Sequence, residues 1–150
     1  NMKKIFCIVL LSSTFSFLKA QSITDTATYL KDSIIQKKSY YIGKPFSVLL
    51  KDLAIGVVDN IDNNSILGTT DTFYTKRIRV IFYPIEGLID RVNAQRLTPT
   101  IVITFQDTLA IPRHYFSRGC LLDYYKGWTR NKRNYWGQFI VADIRLSGVK

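Results

Sequence analysis

The chain of 150 residues is 47% hydrophobic and 21% charged, with 21 Lys and Arg against 11 Asp and Glu and a formal net charge of +10. That balance excludes a disordered, collagenous or polytopic membrane chain, and the length suits one hydrophobic core but not two ordinary domains.

The first predicted element stands outside the fold. Met2-Lys3-Lys4 is a short basic start, and residues 5–18 are mostly apolar, with Ser12, Ser13, Thr14 and Ser16 breaking the second half. This is the pattern of a secretory signal peptide over residues 2–20, with cleavage after Ala20 leaving Gln21 first. An apolar run of that length spans about 21 Å as a helix, short of the roughly 30 Å hydrocarbon core, so no integral membrane anchor is expected after signal removal. Cys7 lies between Phe6 and Ile8, without the small neighbours that lipid attachment at a cysteine requires. Loss of the signal removes Lys3, Lys4 and Lys19, lowering the net charge from +10 to +7. Cys120 is then the sole cysteine, so an internal disulfide cannot form even in the periplasmic or extracellular space where the secreted chain is expected. Residues 21–150 are expected to form a single domain.

From residue 26 to 42, Ala27, Leu30, Ile34 and Tyr41 fall on one helical face, with Asp25 placed to accept hydrogen bonds from the first free amides. Gly43 can end this helix in the left-handed conformation, and Pro45 can open the next at its first position. Phe46, Leu49, Leu50 and Leu53 give that second helix one apolar face, leaving Ser47, Lys51 and Asp52 toward water. Residues 55–58 read as a short strand, and residues 59–71, rich in Asp, Asn, Gly and Thr, as a loop.

Two strands follow. In residues 72–83, Ile78, Val80 and Phe82 alternate with Arg77, Arg79 and Ile81; in residues 100–106, Ile101, Ile103 and Phe105 alternate with Val102, Thr104 and Gln106. The link over 85–99 is long for a hairpin and is expected to be mobile at its tip, with a helical turn near Leu88. Residues 135–149 read as a strand with Ile140, Ala142, Ile144 and Leu146 on one face. Residues 121–128 read as its hairpin partner across the polar turn 129–134. Helices before strands predict an α+β fold, two N-terminal helices packed on a largely antiparallel sheet of about four strands.

Catalytic chemistry finds little to build on. A zinc centre needs several Cys, His or carboxylate ligands, and the expected mature chain has one His, His114, and one Cys, Cys120, so neither a metal nor a cofactor is expected. Residues 59–64 resemble a calcium loop only superficially, because Ile61 occupies the third position and the required Gly and Glu are missing. His114 with Cys120, or with an Asp, is the one pairing open to a small hydrolase, which stands as the alternative function. Gly-x-Ser-x-Gly elbows and phosphate-binding glycine loops are absent. Asp90 and Asp107 are the carboxylates a glycosidase would draw on, with Glu86 the lone Glu.

The positive signal is the segment 113–133. Arg113, Arg118, Lys126, Arg130, Lys132 and Arg133 stand there against Asp123, interleaved with Tyr115, Phe116, Tyr124, Tyr125 and Trp128. Cations among flat rings suit a surface that grips anions and stacks rings. The same aromatics serve equally well as core beneath solvated cations. The sequence therefore predicts an exported, non-enzymatic binding domain. Its partner would be a protein or an anionic cell-envelope component rather than nucleic acid, contacted through Arg113, Arg118, Lys126, Trp128, Arg130, Lys132 and Arg133.

Overall fold

The structure, a computed structural model, describes residues 23–57, 59–62, 66–67, 71–83, 98–123 and 126–149. The expected signal segment, most of the 85–99 link, and Tyr124 and Tyr125 lie outside the described residues. The described elements are helix α1 (Ile23–Tyr29) running into a π-helical stretch (Leu30–Ile35), then α2 (Lys38–Tyr41) and α3 (Phe46–Asp52). Strands β1 (Asp59–Asp62), β2 (Ile66–Leu67), β3 (Thr72–Ile81) and β4 (Thr100–Pro112) follow, then a 3₁₀ turn (Arg113–Phe116), helix α4 (Arg130–Gly137) and strand β5 (Val141–Ser147).

The sheet is antiparallel, as β-branched alternation implies. β3, β4 and β5 are its long strands, with β4 in the middle. Ile78, Val80, Ile101, Ile103 and Phe105 are fully buried on the face where alternation puts them. β1 and β2 pair with the free edge of β3 in one shared register, Asp59 opposite Ile81 and Leu67 opposite Phe73. This corrects the loop expected over 59–71, and it also moves the short strand from 55–58 to Asp59–Asp62. The strand expected over 121–128 is absent among the described residues, which there form turns, and the hairpin turn expected over 129–134 is instead the start of α4. β5 starts at Val141, and its face differs from a plain alternation. A register shift beside Ala142 buries both Val141 and Ile144.

The first helical region is broken where the sequence reads as one helix. Leu30, Ile34 and Tyr41 are buried as expected. Between them the chain widens into π-helical turns, with the Gln36 N–H donating to the Lys31 carbonyl at 3.1 Å, and Lys37 leaves helical geometry before α2. A π turn admits an extra residue and rotates the faces on either side. Gly43 does take a left-handed conformation, φ +79°. Pro45 caps α3 from outside its first turn rather than occupying it.

This inter-helix joint is anchored in the sheet. The Gly43 N–H donates to the Val141 carbonyl at 2.8 Å, the Val141 N–H to the Lys44 carbonyl at 2.9 Å, and the Phe46 N–H to the Phe139 carbonyl at 2.9 Å. Tyrosine hydroxyls tie the other end of α3, where Tyr29 accepts from the Ala54 N–H at 2.8 Å and Tyr41 donates to Asp52 at 3.1 Å. The helices share a single core with one face of the sheet, joining Leu30, Ile34, Phe46 and Leu49 to Ile103, Phe105, Trp136 and Val141. Among the described residues no helix is long and apolar enough to cross a membrane.

Candidate functional site

Helix α4 begins at Thr129, whose hydroxyl accepts the Lys132 N–H at 3.2 Å and so satisfies one of the free amides of the first turn. Trp136, one turn on, is buried and stacks on Phe105 with the rings 6.0 Å apart and 4° from parallel. Gly137 lets α4 approach α3 closely, since a Cβ placed there would lie 3.2 Å from the Ser47 Cβ. Between the two helices lies an open cleft of about 610 Å³. Pro45, Ser47, Leu50 and Lys51 line it from α3 and its cap, and Arg133, Asn134, Gly137 and Gln138 from α4. Arg130, Arg133, Asn134 and Gln138 recur at helical spacing, so Arg130 continues the same face beyond the cleft. Lys51, Arg130 and Arg133 are exposed, and among the described residues no carboxylate lines the cleft.

The seven residues singled out from sequence do not form one surface. Lys132 is buried at 3% exposure, which corrects its expected place on a hairpin tip. Its ammonium donates to Asp59 at 2.9 Å and to the Lys126 carbonyl at 2.6 Å, so it fastens α4 to β1 and to the chain leading into the helix. Trp128 is partly buried against the core, with its indole N–H enclosed and without a partner among the described residues, so part of its ring is committed to packing. Arg113 is exposed with its guanidinium 4.7 Å from the Phe73 ring centre, and Arg118 is exposed on the turn that follows. Lys126 is exposed, 4.0 Å from the buried carboxylate of Asp123, which accepts the Gly119 N–H. Only Arg133 of the seven lines the cleft.

Of the aromatics in the signal, Tyr115, Phe116 and Trp128 pack against the core. Tyr115 meets Tyr135, Tyr135 meets Phe139, and Phe139 meets Phe105 edge to face, at 6.1, 5.3 and 5.7 Å. Burial raises the Tyr135 pKa, with Tyr115 adding to it. The Tyr41 pKa is pushed up to about 12 by burial and by the hydrogen bond to Asp52.

His114 and Cys120 are both exposed, and neither lines the cleft. The His114 ring contacts the edge of Tyr115 at 4.8 Å, and among the described residues it has no carboxylate or thiol within hydrogen-bonding reach. Among the described residues, no three His, Cys, Asp or Glu side chains converge as metal ligands would. Asp59, the start of the apparent calcium loop, is committed to Lys132. Asp107 is exposed on β4, and Asp90 lies outside the described residues.

Sequence reasoning missed Lys51, Ser47, Asn134 and Gln138. They share a site only once 130–137 is known to be helical and Gly137 is known to face Ser47. Compared with family models, curated proteins and solved structures, the chain matches none.

Proposed function

We propose that this is an exported binding domain, not an enzyme, and that it takes an anionic group of a protein or envelope partner in the cleft between α3 and α4. The observation that carries the reading is the pair of exposed cations, Lys51 from one helix and Arg133 from the other, lining a cleft that no carboxylate among the described residues enters. Arg133 presents a planar fork that suits a carboxylate, and Lys51 adds a mobile point charge. Ser47, Asn134 and Gln138 supply further donors above the apolar floor of Leu50 and Pro45. Arg130 extends the positive face along α4, which attracts an acidic segment before it docks. Arg113, Arg118 and Lys126 contribute to the long-range field rather than to the cleft.

The test titrates the protein with a hexaglutamate peptide. The double change Lys51→Glu and Arg133→Glu is expected to weaken binding by at least about tenfold at low salt, because it replaces two charge-assisted hydrogen bonds by repulsion. Lys31→Glu, an equal charge change on the exposed side of the π-helical stretch, is expected to weaken it far less. Equal binding by the double variant and wild type overturns the assignment.

A further inference from the structure

The sheet face opposite the helices carries a second cationic site, independent of the α3–α4 cleft. The strand registers lay its side chains out as a small lattice. Arg77 of β3 stands opposite Thr104 of β4, which stands opposite Asp143 of β5; the neighbouring row reads Arg79, Val102 and Arg145. The middle strand thus contributes short side chains and the outer strands mostly long cationic ones, which makes a low floor between raised walls. Lys76, Arg77, Val102, Thr104 and Arg145 enclose a depression of about 360 Å³ there.

Lys76 is the informative member. Successive residues of a regular strand point to opposite faces, so Lys76 and Arg77 should not serve one site. Between Thr75 and Arg77 the β3–β4 register shifts, and this irregularity releases the alternation. The buried Thr75 hydroxyl holds it, donating to the Arg77 carbonyl at 2.8 Å and accepting the Arg77 N–H at 3.2 Å. The bulge therefore delivers two consecutive cations to one depression. On the opposite wall, Asp143 accepts from Arg145 Nε at 2.7 Å and from Lys38 at 3.4 Å. That contact orients the Arg145 guanidinium while the side chain stays 74% exposed. Asp143 is thereby shared between Arg145 and Lys38, so the depression keeps a positive balance of Lys76, Arg77 and the exposed end of the Arg145 guanidinium against one carboxylate.

We propose that this depression binds a diphosphate group, two linked phosphoryl units bridging the β3 and β5 walls. Each phosphoryl unit carries about −1.5 to −2 near neutral pH, so a linked pair approaches the charge of Lys76, Arg77 and Arg145 together. The walls straddle β4, roughly 10 Å between the backbones of β3 and β5, a separation that arginine side chains close onto two phosphoryl units more readily than onto one. Arginine forks fit phosphoryl oxygens bidentately, and the Thr104 hydroxyl is a donor at the floor. Free pyrophosphate and a diphosphate ester share this chemistry.

Calorimetric titration of the protein with inorganic pyrophosphate, inorganic sulfate and adenosine diphosphate tests it. Pyrophosphate is expected to bind at least about tenfold more tightly than sulfate, which engages one wall, since each charge-assisted bond gained is worth about that factor. Adenosine diphosphate binding as well as pyrophosphate identifies an ester as the ligand, and weaker binding identifies the free anion. Arg77→Gln and Lys76→Gln are each expected to weaken pyrophosphate binding by about tenfold, with Lys37→Gln unchanged. These two variants keep Asp143 and its partners, so the test does not depend on Arg145→Gln folding. Pyrophosphate binding no tighter than sulfate, or weakened as much by Lys37→Gln as by Arg77→Gln, overturns the proposal. The cleft variants at Lys51 and Arg133 leave this readout intact, so either site can fail alone.

Discussion

A lysine at 3% exposure changes what the +10 charge of this chain means. Lys132 is spent inside, against Asp59, and both side chains are nearly sealed from water at 4% and 7% exposure. Removing one partner of such a pair leaves the other charge buried, so Lys132→Met is expected to lower unfolding free energy by about 3–5 kcal/mol in urea titration. Adding Asp59→Leu is expected to recover part of that loss, because no charge is then left behind. Tyr41 makes a second prediction at this scale. Its folded pKa of about 12 lies above the ordinary 10.0, so the folded state holds the phenol proton more tightly than the unfolded chain does. The stabilising contribution is complete below pH 10 and is lost as pH rises toward 12. Thermal unfolding followed across that window should show a decline that Tyr41→Phe reduces. Asp143 carries the opposite sign. Its hydrogen bond from Arg145 lowers its pKa against the effect of burial, so its contribution is present at neutral pH and fades in acid.

Among elements, the two glycines at opposite ends of the fold separate backbone strain from crowding. Gly43 and Gly148 have nearly the same left-handed geometry, φ +79° and +72°. A Cβ at Gly43 meets nothing within 4 Å, whereas at Gly148 it would overlap the Thr98 carbonyl. Gly43→Ala is therefore expected to cost about 1–2 kcal/mol, the left-handed penalty alone, and Gly148→Ala distinctly more, as measured by thermal unfolding. The elements differ in how plainly the sequence announces them. β3 and β4 are legible because Ile78, Val80, Ile101, Ile103 and Phe105 alternate on one buried face. β1 is hidden by its composition, since Asp and Asn are depleted in strands and only pairing with β3 draws them into one. α4 is hidden by Lys132, whose charge reads as solvent-facing although its stem and ammonium both lie inside. With α4 taken for a turn, the cleft against α3 had no second wall. The Lys76 bulge was equally invisible, because a register shift depends on two strands and periodicity reads one.

For the whole molecule, the segment 113–133 shows where composition misleads: Tyr115, Phe116 and Trp128 pack against the core and Lys132 is buried, while Arg113, Arg118, Lys126, Arg130 and Arg133 stay on the surface. Export remains a prediction from residues 2–20, and intact-mass measurement of secreted protein is expected to find Gln21 at the N-terminus. A mass retaining those residues overturns it. The joint at Gly43, Lys44 and Phe46 bears on how the chain folds. Its hydrogen-bond partners, Phe139 and Val141, lie more than 90 residues further along the chain, so this joint closes only when two segments far apart in sequence meet. Contacts so distant in sequence slow folding, because the loop-closure entropy must be overcome before the contact forms. The open state that precedes this joint therefore lasts longer than it would in a fold closed by neighbouring segments.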